Sequence, residues 1–527
     1  MRKRWFAMCL AGMMTVMTAL TGCGTDGGKE ESDSAQQSSA ETGQSSEESQ
    51  EDVSDTDAGE EPFEMVMSYI HPGTIPKDLQ MVEDALNEIT IPEINVKVTL
   101  YPISIGEHQS KYNMMISSGE KLDLICVLFD GGPGIYVNKG QLLELDELFE
   151  KYGADVEAAE GVAMAGGYFN GKLYAIPDEE FMGRRYGFVG RQDILDKYEF
   201  DEYEDATYED LDAFFARVKA GEGEDFYIFN NVGGVSTIGN FMLTDKLGAS
   251  TASGVLMNGG RDDTQITNLY ATEEYKEHLK WMRKWYEAGY FPKDCITMTD
   301  SQVDLMRSGH YLGCFNSVSP IMDSLCTQDY GYLMKSIYIT DIYAATELYQ
   351  ISQWGLPITC ENPEKTMEFV NLMFKDVNVA NLLRYGIEDV HWVKTDKEGI
   401  ITFPEGLDAN TCGYVNTLGL YGDKSRIYQW EPAEPEIFED LREYNAQILN
   451  SADKQSKALG YCFNTEPVQA EYAAVSTVVG QYVPALETGS VNPDVVLPEF
   501  LEALEAAGIQ ECIAENQKQL NQWLEAR

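Results

Sequence analysis

Residues 63 to 130 alternate between two hydrophobic periodicities, and this alternation limits the folds that the chain can adopt. Apolar residues run from Phe63 to Ile70 and again from Leu124 to Phe129, and the second run is typical of a parallel strand buried on both faces. Between these runs, residues 79–89 have apolar side chains at helical spacing, residues 96–100 alternate as a strand, and residues 108–117 suit a short helix. The order strand, helix, strand, helix, strand predicts an open α/β sheet.

The loops that follow the first and third predicted strands are candidates for a binding crevice. In open α/β sheets the ligand lies beyond the carboxyl ends of the strands. The first loop begins at His71, and the other holds Asp130 and Tyr136 among several glycines. Neither loop has the glycine spacing of a nucleotide site. We therefore expect His71, Asp130 and Tyr136 to face the crevice.

The N-terminus has the features of an export signal. Met1 to Arg4 is basic, and the apolar stretch from Trp5 to Leu20 is too short for a permanent membrane span. The stretch ends in Leu20-Thr21-Gly22-Cys23, which resembles the lipobox of bacterial lipoproteins. That resemblance implies a signal peptide at residues 1–22, a lipid on Cys23 and a location on the extracellular face of the cell membrane. An ordinary signal peptide is the alternative.

The composition of residues 23–62 predicts a tether, and the overall charge of the chain disfavours one class of binding partner. Gly24 to Glu61 is rich in Ser, Gln, Gly, Asp and Glu and has too few apolar residues to form a core, which predicts a flexible acidic tether. The formal net charge of −50 disfavours nucleic-acid binding, which needs a basic surface. The remaining length suggests two or more domains.

The sequence contains none of the common catalytic or metal-binding motifs. Of the ten cysteines, the eight in the body are scattered without metal-ligand spacing, which favours apolar packing and leaves open a single bridge such as Cys314 to Cys326. The five histidines form no zinc motif, and no Gly-x-Ser-x-Gly is present. We therefore expect no metal, no cofactor and no enzymatic activity.

Aromatic residues suggest carbohydrate as a ligand. The chain has 30 tyrosines, and Trp354 and Trp430 lie in loop-like contexts. Sugar C–H faces pack on aromatic rings, and sugar hydroxyls pair with polar side chains. Core packing is an equally good interpretation of these two tryptophans.

Several segments together resemble the extracellular solute-binding proteins of carbohydrate ABC importers, specifically the LplA-like lipoprotein group of family 1. The segments are Gly167–Pro177, Gly187–Tyr198, Tyr275–Gly289, Asn362–Asp376, Leu383–Trp392, Ala473–Gly489 and Leu497–Leu501. The resemblance implies a two-lobed periplasmic-binding-protein-like (type II) α/β fold with hinge crossings and a helical C-terminal region. It also implies that a solute is bound between the lobes.

The same resemblance assigns candidate ligand residues. The pattern Asn170-Gly171-Lys172-x-Tyr174-x-Ile176-Pro177 marks the first hinge crossing in that family. It places Glu179 and Glu180 at the cleft to receive ligand hydroxyls, with Arg184 pairing nearby. The family implies that the remaining ligand contacts come from Asp130, Phe315, Asn316, Trp354 and Trp430.

These inferences combine into one prediction. The lobes would comprise residues 63–180 with about 335–375, and residues 181–334 with about 376–527. The protein would be a lipid-anchored monomer that captures an oligosaccharide for the permease subunits of an ABC transporter. An extracellular glycoside hydrolase and a surface glycan-binding lipoprotein without a transport role are the alternatives.

Overall fold

The strands of the protein form two main sheets and several short ladders. A computed structural model describes residues 61–71, 75–129, 131–230, 242–298, 300–408, 411–414 and 421–527. The predicted lipid-bearing Cys23 and the predicted crevice residue Asp130 lie outside these ranges. The strands are β1 (Phe63–His71), β2 (Val96–Ser104), β3 (Leu124–Leu128), β4 (Tyr168–Phe169), β5 (Lys172–Leu173), β6 (Ala175–Pro177), β7 (Arg185–Arg191), β8 (Tyr227–Phe229), β9 (Thr244–Asp245), β10 (Leu256–Met257), β11 (Tyr311–Val318), β12 (Met334–Tyr338), β13 (Ser352–Gly355), β14 (Val393–Lys394), β15 (Ile400–Thr402) and β16 (Gln429–Trp430).

Helices cover the sheets and form most of the C-terminal region. They are α1 (Leu79–Ile94), α2 (His108–Ser118), α3 (Gly134–Val137), α4 (Asp146–Tyr152), α5 (Ala154–Glu160), α6 (Gln192–Lys197), α7 (Tyr208–Glu222), α8 (Glu273–Glu287), α9 (Gln302–Arg307), α10 (Met322–Tyr330), α11 (Pro363–Lys375), α12 (Val377–Tyr385), α13 (Ile437–Leu449), α14 (Gln469–Glu487), α15 (Pro493–Ala507) and α16 (Ile509–Ala526). Among the described helices, none combines the length and the apolar character needed to cross a bilayer.

The first lobe is built on the sheet β2-β1-β3-β13-β6. β1 pairs in parallel with β2 and β3, as the alternating sequence predicts, and β13 joins as an antiparallel strand. All five residues of β3 are buried, which explains its unbroken apolar sequence. Helices α1, α11 and α12 contribute to the same core, including Val82, Phe369 and Leu383.

The second lobe is built on the sheet β12-β7-β11-β8. Its core is aromatic, because Phe229 and Phe315 pack against Trp285 of α8 and Phe188 packs against Phe315. The N-cap of α8 is Thr272, whose side chain accepts a hydrogen bond from the N–H of Tyr275. The C-terminal helices α14 to α16 extend this core. The prediction of a two-lobed α/β fold is confirmed.

Three connections between the lobes run side by side in the described residues. Arg184 and Tyr343, on the first and second connections, exchange backbone hydrogen bonds of 2.7 and 2.9 Å. Ala344 pairs in turn with the third connection, donating to Lys454 O at 2.9 Å and accepting from Ser456 N–H at 2.8 Å. The three segments therefore form a short hydrogen-bonded ribbon at the hinge.

The lobe boundaries drawn from the sequence differ from the arrangement of strands and cores. β12 belongs to the second sheet, although the predicted boundary near residue 335 assigns most of it to the first lobe. α12, which the sequence boundary assigns to the second lobe, packs in the core of the first. Both segments lie next to a hinge connection, where local periodicity does not reveal which sheet an element joins.

Candidate functional site

A cavity of about 320 Å³ lies between the two lobes, beyond the carboxyl end of β3. The first lobe contributes residues of the β3–α3 loop and α3, the second lobe contributes the turn after β9, and the C-terminal region contributes the segment before α14 and the start of that helix. The lining residues are Phe129, Gly131, Gly134, Ile135, Asn138, Phe169, Gly248, Ala249, Cys462, Phe463, Thr465 and Tyr472. This is the edge of the sheet at which open α/β folds bind ligands.

Phe129 presents an aromatic ring to this cavity. The residue directly follows β3, and its side chain is 62% exposed, whereas every residue of β3 is buried. Its φ of 57° is in the left-handed region, which is unusual for a bulky residue. Its N–H donates to Ile351 O at 2.8 Å, so the backbone stays tied to the hinge while the chain turns. Strained backbone of this kind is concentrated at functional sites.

Gly248, in the turn after β9, allows the segment around Cys462 to pack closely against it. Its φ is +70°, and a Cβ at this position would lie 2.5 Å from the Sγ of Cys462. Only glycine fits such a contact without displacement of a neighbour. The turn after β9 and the segment around Cys462 therefore form one continuous wall.

Polar groups complete the cavity. The Nδ2 of Asn138, in the first lobe, donates to the Oδ1 of Asn464 at 3.4 Å, a contact that crosses between the lobes. Tyr472 is held by a hydrogen bond of 2.9 Å from its Oη to Ser250 Oγ. An aromatic face surrounded by hydroxyl and amide groups suits a ligand with both C–H faces and hydroxyls.

A second, smaller cavity of about 210 Å³ lies beside the first hinge connection and is lined by charged side chains. Both Glu179 and Glu180 line it, and their side chains are 7% and 9% exposed. Burial raises the pKa of both carboxyls, and the charge of Glu160 raises the pKa of Glu179 further. These two residues therefore lie at the hinge, outside the set that lines the interlobe cavity.

Glu160 is at the centre of this charged group. Its carboxylate accepts the N–H of Glu179 at 3.2 and 3.3 Å. Burial raises the pKa of Glu160 to about 8, against the opposing charge of Lys424. Next to it, Lys424 forms a fully buried ion pair with Asp178.

Arg184 lies on the same connection, close to the second lobe. Its Nη1 donates to Tyr186 Oη at 3.4 Å, and its charge lowers the pKa of Glu179. The neighbouring Arg185 pairs with Glu204 at 3.3 Å and lies over the ring of Tyr338.

Both tryptophans chosen from the sequence are packed against other aromatic rings. Trp354 is 1% exposed, stacks on Tyr421 at 5.6 Å and donates its indole N–H to Asp178 at 2.7 Å. Trp430 is half-buried in the ladder β14-β15-β16 and stacks on Phe403 at 4.4 Å. Neither residue lines the interlobe cavity.

The other predicted site residues lie in or near the cores. His71 is the last residue of β1 and is 8% exposed, and Tyr136 on α3 is completely buried. Phe315 is 3% exposed in the second-lobe core, and the Oδ1 of Asn316 accepts the N–H of Ser317 at 2.8 Å. Their roles in ligand binding, like those of the hinge and tryptophan residues, stay predictions.

Sequence reasoning missed the residues that line the cavity. Phe129 ends the apolar run that predicts a buried strand, although the glycines that follow it indicate a turn at this point. Gly248, Thr465 and Tyr472 have no local signal, because distant parts of the chain bring them together. The eight cysteines of the described chain are all free, so no bridge joins Cys314 and Cys326.

Two α/β lobes, a hinge of three connections and a cavity between the lobes define a hinged binding protein. A family model described as bacterial extracellular solute-binding protein matches residues 84–387. The chain therefore belongs to the bacterial extracellular solute-binding proteins, a family that serves transport and is generally non-enzymatic. A second model, the domain of unknown function DUF3502, matches residues 457–525.

Curated relatives and solved structures agree with this assignment. A carbohydrate ABC transporter substrate-binding protein of Streptococcus pneumoniae serotype 4 (strain ATCC BAA-334 / TIGR4) is 29% identical over 483 residues, which is 89% of this chain and 92% of the relative. Lipoprotein LipO of Bacillus subtilis (strain 168) is 26% identical over 310 residues, 57% of this chain and 53% of that protein.

The crystal structure of the N-glycan transport solute binding protein NgtS from Streptococcus pneumoniae superposes with a TM-score of 0.76 at 27% identity, covering 88% of this chain and 99% of that chain. Its complexes with Man1GlcNAc and Man5GlcNAc, with the same coverage and identity, give TM-scores of 0.69 and 0.68.

Proposed function

We propose that this protein captures an oligosaccharide between its lobes and delivers it to the permease subunits of an ABC importer. The observation that carries the proposal is the exposed ring of Phe129, held in a strained turn inside the interlobe cavity. Exposed large aromatic side chains in a concave, partly polar site provide a stacking surface for sugar rings. The relatives named for carbohydrate and N-glycan transport support this ligand class.

Binding would work by closure of the hinge. A sugar ring packed on Phe129 would also reach polar groups of the opposite wall, such as Thr465 and Tyr472, only when the lobes are close together. A ligand that contacts both walls stabilises the closed state relative to the open state. The closed, loaded form would be the one that the permease recognises.

The location and assembly state belong to the same proposal. The Leu20-Thr21-Gly22-Cys23 motif supports a lipid anchor on Cys23 at the outer face of the cell membrane, with residues 23–62 as a tether. We propose that the protein acts as a monomer and leaves the bound glycan chemically unchanged.

Isothermal titration calorimetry with Man1GlcNAc and Man5GlcNAc tests the proposal. We expect the wild-type protein to bind at least one of these glycans, and Phe129→Ala to weaken binding by about fivefold or more, since stacking on an aromatic ring contributes about 1 kcal/mol or more. Leu333→Ala is the matched control, because Leu333 is an exposed apolar residue, 64% exposed, that does not line the cavity.

Small-angle scattering and mass spectrometry of the same samples complete the test. Glycan binding should reduce the radius of gyration of the protein. The glycan should be recovered chemically intact. Absence of glycan binding, or equal affinities of the wild-type and Phe129→Ala proteins, would contradict the proposal. Cleavage of the glycan would favour a hydrolase instead.

A further inference from the structure

The C-terminal region that matches a domain of unknown function is part of the second lobe. Helices α14 to α16 bury Val475, Phe500 and Cys512 in the same core as Phe188 and Trp285. Tyr270 also packs edge-on against Phe500, with ring centroids 4.8 Å apart. The C-terminal region is therefore expected to move with the second lobe when the hinge bends.

Residues 460 to 465 precede α14 and lie along the interlobe cavity. The N–H of Gly460 donates to Thr346 Oγ1 at 2.8 Å, and the N–H of Phe463 donates to Leu247 O at 2.9 Å. At the far end, the Gln519 side chain on α16 binds Asn464 twice, accepting its N–H at 3.1 Å and donating to its carbonyl at 3.0 Å. These bonds fix the segment before any ligand arrives, and a fixed wall discriminates between ligands better than a mobile one.

The segment supplies a third side to the cavity. Cys462, Phe463 and Thr465 line it, and Tyr472 of α14 continues the same surface. Asn464 reaches the first lobe through its contact with Asn138. The C-terminal region therefore forms part of the cavity wall, beside the loops of the two lobes.

The size of the cavity makes this third side important. Its volume of about 320 Å³ is near the lower end of the roughly 300–1,000 Å³ typical of small-molecule sites. A wall fixed to the second lobe limits how much of a branched or extended glycan fits next to Phe129 when the lobes close.

We infer that the segment 462–472 of the C-terminal region selects ligands by size, setting how large a glycan the cleft admits. This inference rests on the proposed oligosaccharide binding. The segment acts by position: its backbone is tied to Leu247 and Gln519, and its side chains occupy the space that a larger glycan needs.

Thr465→Trp tests the inference with Man1GlcNAc and Man5GlcNAc as probes. A bulky side chain on the wall should weaken Man5GlcNAc binding by about tenfold or more, equivalent to about 1.4 kcal/mol, while Man1GlcNAc affinity changes by less than about threefold. Thr477→Trp is the matched control, since Thr477 is exposed on α14 and does not line the cavity.

Thr465→Ala provides a second variant that preserves the fold. Removal of the side chain should shift the ratio of affinities the other way, by about twofold to threefold in favour of Man5GlcNAc. Unchanged affinity ratios in both Thr465 variants, with the wild-type protein binding glycan, would overturn this inference alone. Failure of the wild-type protein to bind either glycan would overturn the proposed function and this inference together.

Discussion

Glu160 is a carboxyl side chain buried where the first lobe meets the hinge. It ends α5, is 1% exposed and accepts the N–H of Glu179 from the first connection. The charge of Lys424 and the hydrogen bond from the Glu179 N–H favour its ionised form, whereas the charge of Asp423 disfavours it. Burial is the largest effect and raises its pKa to about 8.

This raised pKa predicts a pH dependence of stability. The folded state keeps the Glu160 proton up to about pH 8, whereas the unfolded chain loses it near the ordinary glutamate value of about 4.3. The stabilisation is therefore complete below about pH 4 and is lost progressively as the pH rises towards 8. Glu160→Gln, which cannot ionise, should reduce the fall in unfolding free energy between pH 5 and 8, measured by urea denaturation.

Glu157→Gln is the control for that experiment, because Glu157 is exposed on the same helix. Its pH profile should match the wild-type profile. A Glu160→Gln profile that also matches the wild type would show that Glu160 is ionised throughout this pH range in the folded protein.

The turn after β9 shows how a short element shapes the cleft. Gly248 has a left-handed backbone, and its missing side chain lets Cys462 and the C-terminal segment pack directly against it. The contact is shared by the second-lobe turn and the C-terminal region, so its loss affects both stability and the cavity.

We expect Gly248→Ala to lower the free energy of unfolding by about 2–4 kcal/mol, because steric overlap with Cys462 adds to the backbone strain of about 1–2 kcal/mol. Gly140→Ala is the matched control: its φ is +64°, and no atom lies within 4 Å of its added Cβ, so only the strain remains. Chemical denaturation measures both variants. An equal decrease in the free energy of unfolding of both variants would mean that the overlap with Cys462 is relieved without a free-energy cost.

The whole protein joins a hinged binding body to a candidate membrane anchor. With a net charge of −50, the chain has little basic surface to hold it on anionic lipids, so stable attachment would depend on the lipid at Cys23. Cys23→Ser should therefore release the protein into the medium with its glycan affinity unchanged. Fractionation of cells followed by immunoblotting measures this, and a variant that stays with the membrane would contradict lipid attachment at Cys23.

The fold class follows from local sequence patterns. The buried run of β3, the helical spacing in α1, and the caps at Thr272 and Asn362 each depend on residues a few positions apart. The order of strands and helices then leaves few possible sheets. Such short-range features account for the α/β sheet predicted for residues 63–130, whereas the resemblance to the family implied the second lobe.

Local sequence patterns predict the buried face of a helix less accurately than its position in the chain. Tyr275, Leu279, Met282 and Tyr286 have helical spacing on α8, but the buried face also includes His278 and Trp285, while Tyr286 is half-buried. Periodicity finds the helix, and the position of neighbouring elements decides which residues at its edge are covered.

The cleft depends on contacts between residues far apart in the chain. Phe129, Gly248 and Thr465 come from three separate parts of the sequence and meet only after both lobes and the C-terminal helices have packed. Trp354, a loop tryptophan in the sequence, becomes buried because β13 inserts between β3 and β6. The local sequence thus predicts an export signal and the helices and strands, and it carries the family resemblance, whereas long-range packing decides which side chains are buried and which ones line the cavity.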